Sequence, residues 1–143
     1  MKGNEKPYEI RIQSNIGEEL FEKYCKEKGY ICNRLGFDEG AGYIEKFFNL
    51  NPLLRNLPDY VVNTKTETFV VCVKGTPNLK KKEFELLPLM TEWFSSPKAP
   101  LVYAFCFKDQ SPKLVFPEKI ITLYEQSRDQ KWDDGVVYRH LQI

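Results

Sequence analysis

The sequence is short of the residues that build most metal and nucleophile centres. It has one histidine, His140, and its four cysteines (Cys25, Cys32, Cys72 and Cys106) form no Cys-x-x-Cys pair. Tetrahedral zinc sites draw on closely spaced thiolates and imidazoles, so this pattern argues against structural zinc. No apolar run approaches the roughly 20 residues that span a bilayer. Met-Lys-Gly-Asn-Glu-Lys at the start is followed by no apolar segment, so the sequence predicts no secretory leader and a cytoplasmic location. An excess of one charge is also missing: 21 Lys and Arg face 20 Asp and Glu, for a net charge of +1. That is not the strongly basic signature of a protein that coats nucleic acid. It leaves open an enzyme that gathers cations beside an acidic centre. There is no P-loop, dinucleotide-binding glycine pattern, Ser-His-Asp elbow, internal repeat or low-complexity linker.

What remains is the make-up of one folded domain. At 143 residues, with 42% hydrophobic and 29% charged residues, the chain can bury a core without staples. Three cysteines sit in apolar company, as in Val-Val-Cys-Val and Ala-Phe-Cys-Phe, and read as small buried thiols in a reducing compartment.

Along the chain, residues 1–13 read as a polar lead with a short strand at 8–12. Ser14 or Asn15 can cap a helix that carries Ile16, Leu20, Phe21, Tyr24 and Cys25 at helical spacing and stops at Gly29. Residues 30–34 read as a strand. The irregular stretch 36–56 reads as an insertion over the core, with Tyr43, Phe47 and Phe48 as packing residues. Two valine-rich strands, 57–62 and 68–74, flank a short turn and predict a β-hairpin. A second helix is expected from Thr76-Pro77 towards Phe94, kinked or divided at Pro88. Residues 101–107 predict a buried central strand. Further strands are expected at 113–116 and 136–141, around a helix at 117–126. Trp93, Phe94, Tyr103, Phe105 and Phe107 are assigned to the core, and Trp132, in polar company, to the surface.

The hairpin carries the chemistry. With its turn centred between Lys65 and Thr66, Asp59 falls opposite Cys72 and diagonal to Lys74. Cys72 and Lys74 are two apart and share a face. A carboxylate and an ammonium therefore converge within apolar strands, where charge is costly unless paired or bound to metal. A plain Asp–Lys ion pair at a sheet edge satisfies the same pattern.

Pro58-Asp59, a short hairpin and then Val71-Cys72-Val73-Lys74-Gly75 resemble the motif of the PD-(D/E)XK nuclease superfamily. The stretch from Gly17-Glu18-Glu19-Leu20-Phe21-Glu22 to Lys28-Gly29-Tyr30 resembles the first helix of Holliday-junction resolvases and of restriction enzymes that cut modified DNA. The resemblance covers roughly residues 15–107. It implies an α/β fold of the restriction-endonuclease-like αβββαβ type, with a central mixed sheet flanked by helices. The chain then reads as one domain, 1–143, with a core at about 15–107 and a C-terminal extension at 108–143.

By the same resemblance, acidic residues would hold Mg²⁺ or Mn²⁺, hard cations that take oxygen donors. Asp59 would be the central ligand and Glu18 a supporting one, with Glu19 as runner-up. The Val73 carbonyl would add an oxygen, and Lys74 would orient the attacking water and stabilise the anionic transition state. Cys72 departs from the pattern, since it stands where the family has Asp, Glu or sometimes Gln. A thiol is a poor partner for Mg²⁺. Glu83 or Glu85 on the next helix could supply the missing acid, a softer metal could be used, or cleavage could be lost and binding kept. Lys80, Lys81 and Lys82 oppose the macrodipole at the start of that helix, and a DNA phosphate would relieve this; a solvated charged face is the plain alternative. The expected function is metal-dependent cleavage of DNA phosphodiesters. The alternatives are a nuclease-like domain that only binds DNA or protein, and an unrelated α/β interaction protein. Cutting a duplex takes two centres, which a homodimer would provide, though no interface is legible in the sequence.

Overall fold

The computed structural model describes residues 7–35 and 57–143, with side chains of the first helix described from residue 16 onward. The expected insertion at 36–56, with Tyr43, Phe47 and Phe48, lies outside the described residues. The fold is mixed α/β; the described residues form three helices, a five-stranded mixed sheet and a smaller three-stranded sheet.

The first helix, α1, spans Pro7–Lys28. It begins well before the Ser14–Asn15 cap, and the strand expected at 8–12 is helical. Gly29 ends it at φ 75°, a left-handed conformation that costs glycine nothing, and the Tyr30 N–H reaches back to the Cys25 carbonyl at 2.8 Å. Strand β1 (Ile31–Arg34) then pairs antiparallel with β2 (Tyr60–Asn63), which turns through residues 64–67 into β3 (Thr68–Lys74). Thr64 closes the turn: its Oγ1 accepts from the Glu67 N–H at 3.0 Å.

The chain next departs from expectation. Instead of entering a helix at Thr76-Pro77 it forms β4 (Asn78–Lys80), because Leu79 enters the core and Asn78–Lys80 pair with a strand near the C-terminus. Helix α2 runs Lys81–Phe94 without a division at Pro88, whose ring faces solvent. Its inward stripe is Leu87, Met90 and Phe94. That stripe passes Trp93 by, leaving Trp93 68% exposed rather than in the core. The crossover returns the chain to β5 (Leu101–Phe105), parallel to β3 and buried at every residue. Strand β6 (Lys113–Val115) pairs antiparallel on its far side, giving the order β1-β2-β3-β5-β6.

Helix α3 (Pro117–Glu125) leads to β7 (Asp129–Lys131) and β8 (Val137–His140), which form the second sheet in the order β4-β8-β7. Strand β7 has no signature in the sequence. The β7–β8 hairpin buries Trp132, expected at the surface, by stacking it on Tyr138 at 4.3 Å between ring centroids.

Two apolar layers follow from the alternation of strand side chains. Phe21 and Cys25 of α1 pack on Tyr60, Val62, Val71, Val102 and Ala104. On the other face Cys72, Leu101, Tyr103 and Phe105 meet Leu87, Met90, Ile120 and Leu141. Residues beyond 107 thus belong to the same core as the hairpin.

Candidate functional site

The expected register holds from Asn63–Thr68 to Tyr60–Val71, and Cys72 and Lys74 share one face of β3. Buried Pro58 precedes Asp59, and the Asp59 N–H bonds the carbonyl of Val71, the residue paired with Tyr60, at 2.8 Å, so the regular ladder does not continue to the expected Asp59–Cys72 pair. The side chain is fixed as well, since Asp59 Oδ2 accepts the Val73 N–H at 2.7 Å. Burial raises the Asp59 pKa to about 6, and the neighbouring Glu18 adds to the rise. The Val73 N–H, Lys74 and Arg34 oppose it.

Lys74 ends β3, and its ammonium donates to both oxygens of Glu83, at 3.1 and 2.9 Å. Glu83 is the third residue of α2 and also accepts the Lys80 N–H at 3.1 Å, so one carboxylate caps the helix and holds the lysine. Burial pushes its pKa up, but the Lys74 charge, the Lys74 hydrogen bond and the Lys80 N–H outweigh that and hold it below its usual value. Glu85, the other candidate acid, is exposed, and its charge acts on Tyr124. The short helical offset between the two glutamates decides which one reaches the site.

Cys72 lies between the acids. Burial raises its pKa first, and the charges of Asp59 and Glu83 raise it further, so the thiol stays neutral. Tyr103 is its register partner on β5.

Glycine brings the first helix in. A Cβ on buried Gly17 would stand 2.9 Å from the Gly75 Cα, so helix and strand exit touch backbone to backbone. Glu18, next in line, is brought beside Asp59, and its carboxylate accepts from Arg34 Nη1 at 3.3 Å. Glu19 is turned to solvent.

Four contributors carry no motif of their own: Arg34, Glu22, Tyr60 and Tyr103. Arg34 Nη2 donates to Glu22 Oε2 at 2.9 Å and to the Tyr60 hydroxyl at 3.0 Å. The Tyr60 O–H donates to Glu22. The 18/22 spacing, one helical turn, was the available signal for Glu22. Lys80 closes β4 rather than sitting in the helix, and Lys80, Lys81 and Lys82 are all exposed. They line a groove of about 640 Å³ that Glu83 also borders and that the β7–β8 turn closes on its other side.

Glu18, Glu22, Asp59 and Glu83 therefore face two side-chain cations, Arg34 and Lys74, leaving two negative charges when all are ionised. Oxygen donors in negative excess suit a hard divalent cation, and the Val73 N–H uses one Asp59 oxygen and leaves the other. Among the described residues no group of three or more His, Cys, Asp or Glu side chains is placed to hold a metal ion. Lys74 and Arg34 would have to give way. No helix of the described residues is long and apolar enough to cross a membrane. No family model, curated protein or solved structure matches the chain.

Proposed function

We propose that this chain is a Mg²⁺- or Mn²⁺-dependent DNA endonuclease of the PD-(D/E)XK type, with Glu83 taking the role of the acid that Cys72 replaces. The observation that carries the reading is the gathering of Asp59, Lys74 and Glu83 around a neutral Cys72. Among the described residues the succession is α1, β1, β2, β3, β4, α2, β5; with β3 and β5 parallel neighbours across the α2 crossover it supports the restriction-endonuclease-like arrangement, with β4 as an addition to it. Bound to these carboxylates, the cation would acidify a water and offset charge on the phosphate. Asp59 and Glu83 would hold it, with Glu18 supporting. Lys74, released from Glu83, would orient the attacking water and face the developing negative charge. Lys80, Lys81 and Lys82 would fix the DNA backbone beside the centre.

Nicking of supercoiled plasmid in Mg²⁺ or Mn²⁺ tests this. Asp59→Ala and Lys74→Ala are each expected to lower the rate by about 100-fold or more. Cys72→Glu alone would crowd a further carboxylate against Asp59 and Glu83 and lower activity. Combined with Glu83→Ala it should restore part of the rate. Wild-type protein that binds DNA in a salt-sensitive way but nicks with neither ion would instead establish a binding domain. That second reading is favoured by the ion pairs that already occupy Glu83 and Glu18.

A further inference from the structure

We infer that Cys25 and Cys32 form a dithiol that a hydroperoxide oxidises to a disulfide, tying α1 to β1. The pair is separate from the Asp59–Lys74–Glu83 cluster and stands whether or not the chain cuts DNA.

Helix α1 and strand β1 meet through two matched sets of residues. Glu22, Cys25 and Lys26 recur at helical spacing and share one side of α1. Tyr30, Cys32 and Arg34 are two apart and share one side of the strand segment. Both sets line one cavity of about 360 Å³, together with Tyr60. Two contacts fix how they are paired. The Tyr30 N–H donates to the Cys25 carbonyl at 2.8 Å, and Arg34 Nη2 donates to Glu22 Oε2 at 2.9 Å. The strand thus runs back along the helix, from Cys25 towards Glu22, as it passes from Tyr30 to Arg34. Cys32 falls between those two contacts, beside Cys25, and both thiols belong to the apolar cluster under α1.

The two thiols differ in access. Cys25 is 1% exposed, whereas Cys32 is half-buried at the cavity wall. Burial raises the pKa of both, Cys25 to about 12. At Cys32 the neighbouring Cys25 thiol and the Arg34 charge oppose the rise, while Glu22 adds to it. Cys32 is therefore the thiol that meets the oxidant. Its thiolate attacks the peroxide O–O bond, takes one oxygen as a sulfenic acid and releases the other as water or an alcohol. The Cys25 sulfur then attacks the Cys32 sulfur. The S–S bond forms, the S–O bond breaks, and the hydroxyl leaves as water with the Cys25 proton. Two thiols give up two electrons and two protons, and one hydroperoxide is reduced. Cys72 and Cys106 are buried and are not among the residues that line this cavity.

The full chain is reduced, freed of reductant and treated while folded with excess hydrogen peroxide. Trypsin cuts after Lys23, Lys26, Lys28 and Arg34, so Cys25 and Cys32 fall in separate peptides, 24–26 and 29–34. Mass spectrometry without reductant should find those two peptides joined. Two of the four thiols should be lost to alkylation and regained in dithiothreitol. The oxidised protein should melt about 5 °C higher than the reduced one, because the link restricts the unfolded chain. Cys25→Ala should show neither the link nor the shift, and should leave Cys32 as a sulfenic acid that dimedone traps. Cys32→Ser, a change at the less buried position, should keep all its remaining thiols reduced and guards against a folding defect in the alanine variant. Thiols that all stay reduced in folded wild-type protein would overturn the assignment. So would a link from Cys25 to Cys106, or a Cys25–Cys32 link that forms only in urea.

Discussion

Asp59 and Glu83 are both carboxylates beside Lys74, yet their environments drive them apart. Burial with Glu18 nearby lifts Asp59 to about 6, whereas the direct ion pair and a backbone N–H carry Glu83 down. The two have opposite consequences for stability. A carboxyl raised in the folded state holds its proton there more tightly than in the unfolded chain, so its contribution is favourable at low pH and is lost as pH rises through about 6. Asp59→Asn keeps an oxygen for the Val73 N–H and removes the titration. It should therefore stabilise the metal-free protein at pH 8 by on the order of 1–2 kcal/mol and have little effect at pH 4, as thermal unfolding at the two pH values would show. If that substitution instead left the protein less stable than wild type at pH 8, the burial argument would be contradicted.

Two contacts between elements place the site. Helix α1 meets β3 through Gly17 and Gly75, and α2 meets it through Glu83 and Lys74. The glycine contact has no room for a methyl group at 17. Gly17→Ala must push the helix off the strand exit and is expected to cost about 1–3 kcal/mol in urea unfolding. Activity should fall further than stability alone explains, because Glu18 moves with the helix. The elements that sequence periodicity missed were decided by pairing partners far along the chain. Leu79 and its neighbours form β4 because β8 lies beside them, and β7 exists because the turn that follows returns the chain to it. Propensity within a short window carries no record of such partners. Pro88 shows the converse: a helix packed through Leu87 and Met90 tolerates a lost hydrogen bond on its exposed side.

At the scale of the molecule, the C-terminal third is part of the core. Ile120, Leu123, Tyr124 and Leu141 share one apolar cluster with Cys72, Leu87 and Phe105, and the Leu141 N–H bonds the Pro77 carbonyl at 2.8 Å. Leu141→Ala should cost about 2–5 kcal/mol by the cavity it leaves. A chain ending at residue 107 should lose the near-ultraviolet circular dichroism of a packed interior. Full retention of that signal would show that the first 107 residues are sufficient.

Local order was legible from residue types alone. The hairpin register from Asn63–Thr68 to Tyr60–Val71, the stop at Gly29, the apolar run of β5 and the shared face of Cys72 and Lys74 follow from period-two alternation and turn chemistry, which act between near neighbours. Tertiary structure decided the rest. It selected Glu83 over Glu85 and Glu18 over Glu19, brought in Arg34, Glu22 and Tyr60, buried Trp132 and exposed Trp93. Those outcomes depend on which helix face meets which strand end, a property of packing between distant segments that spacing along the chain does not encode.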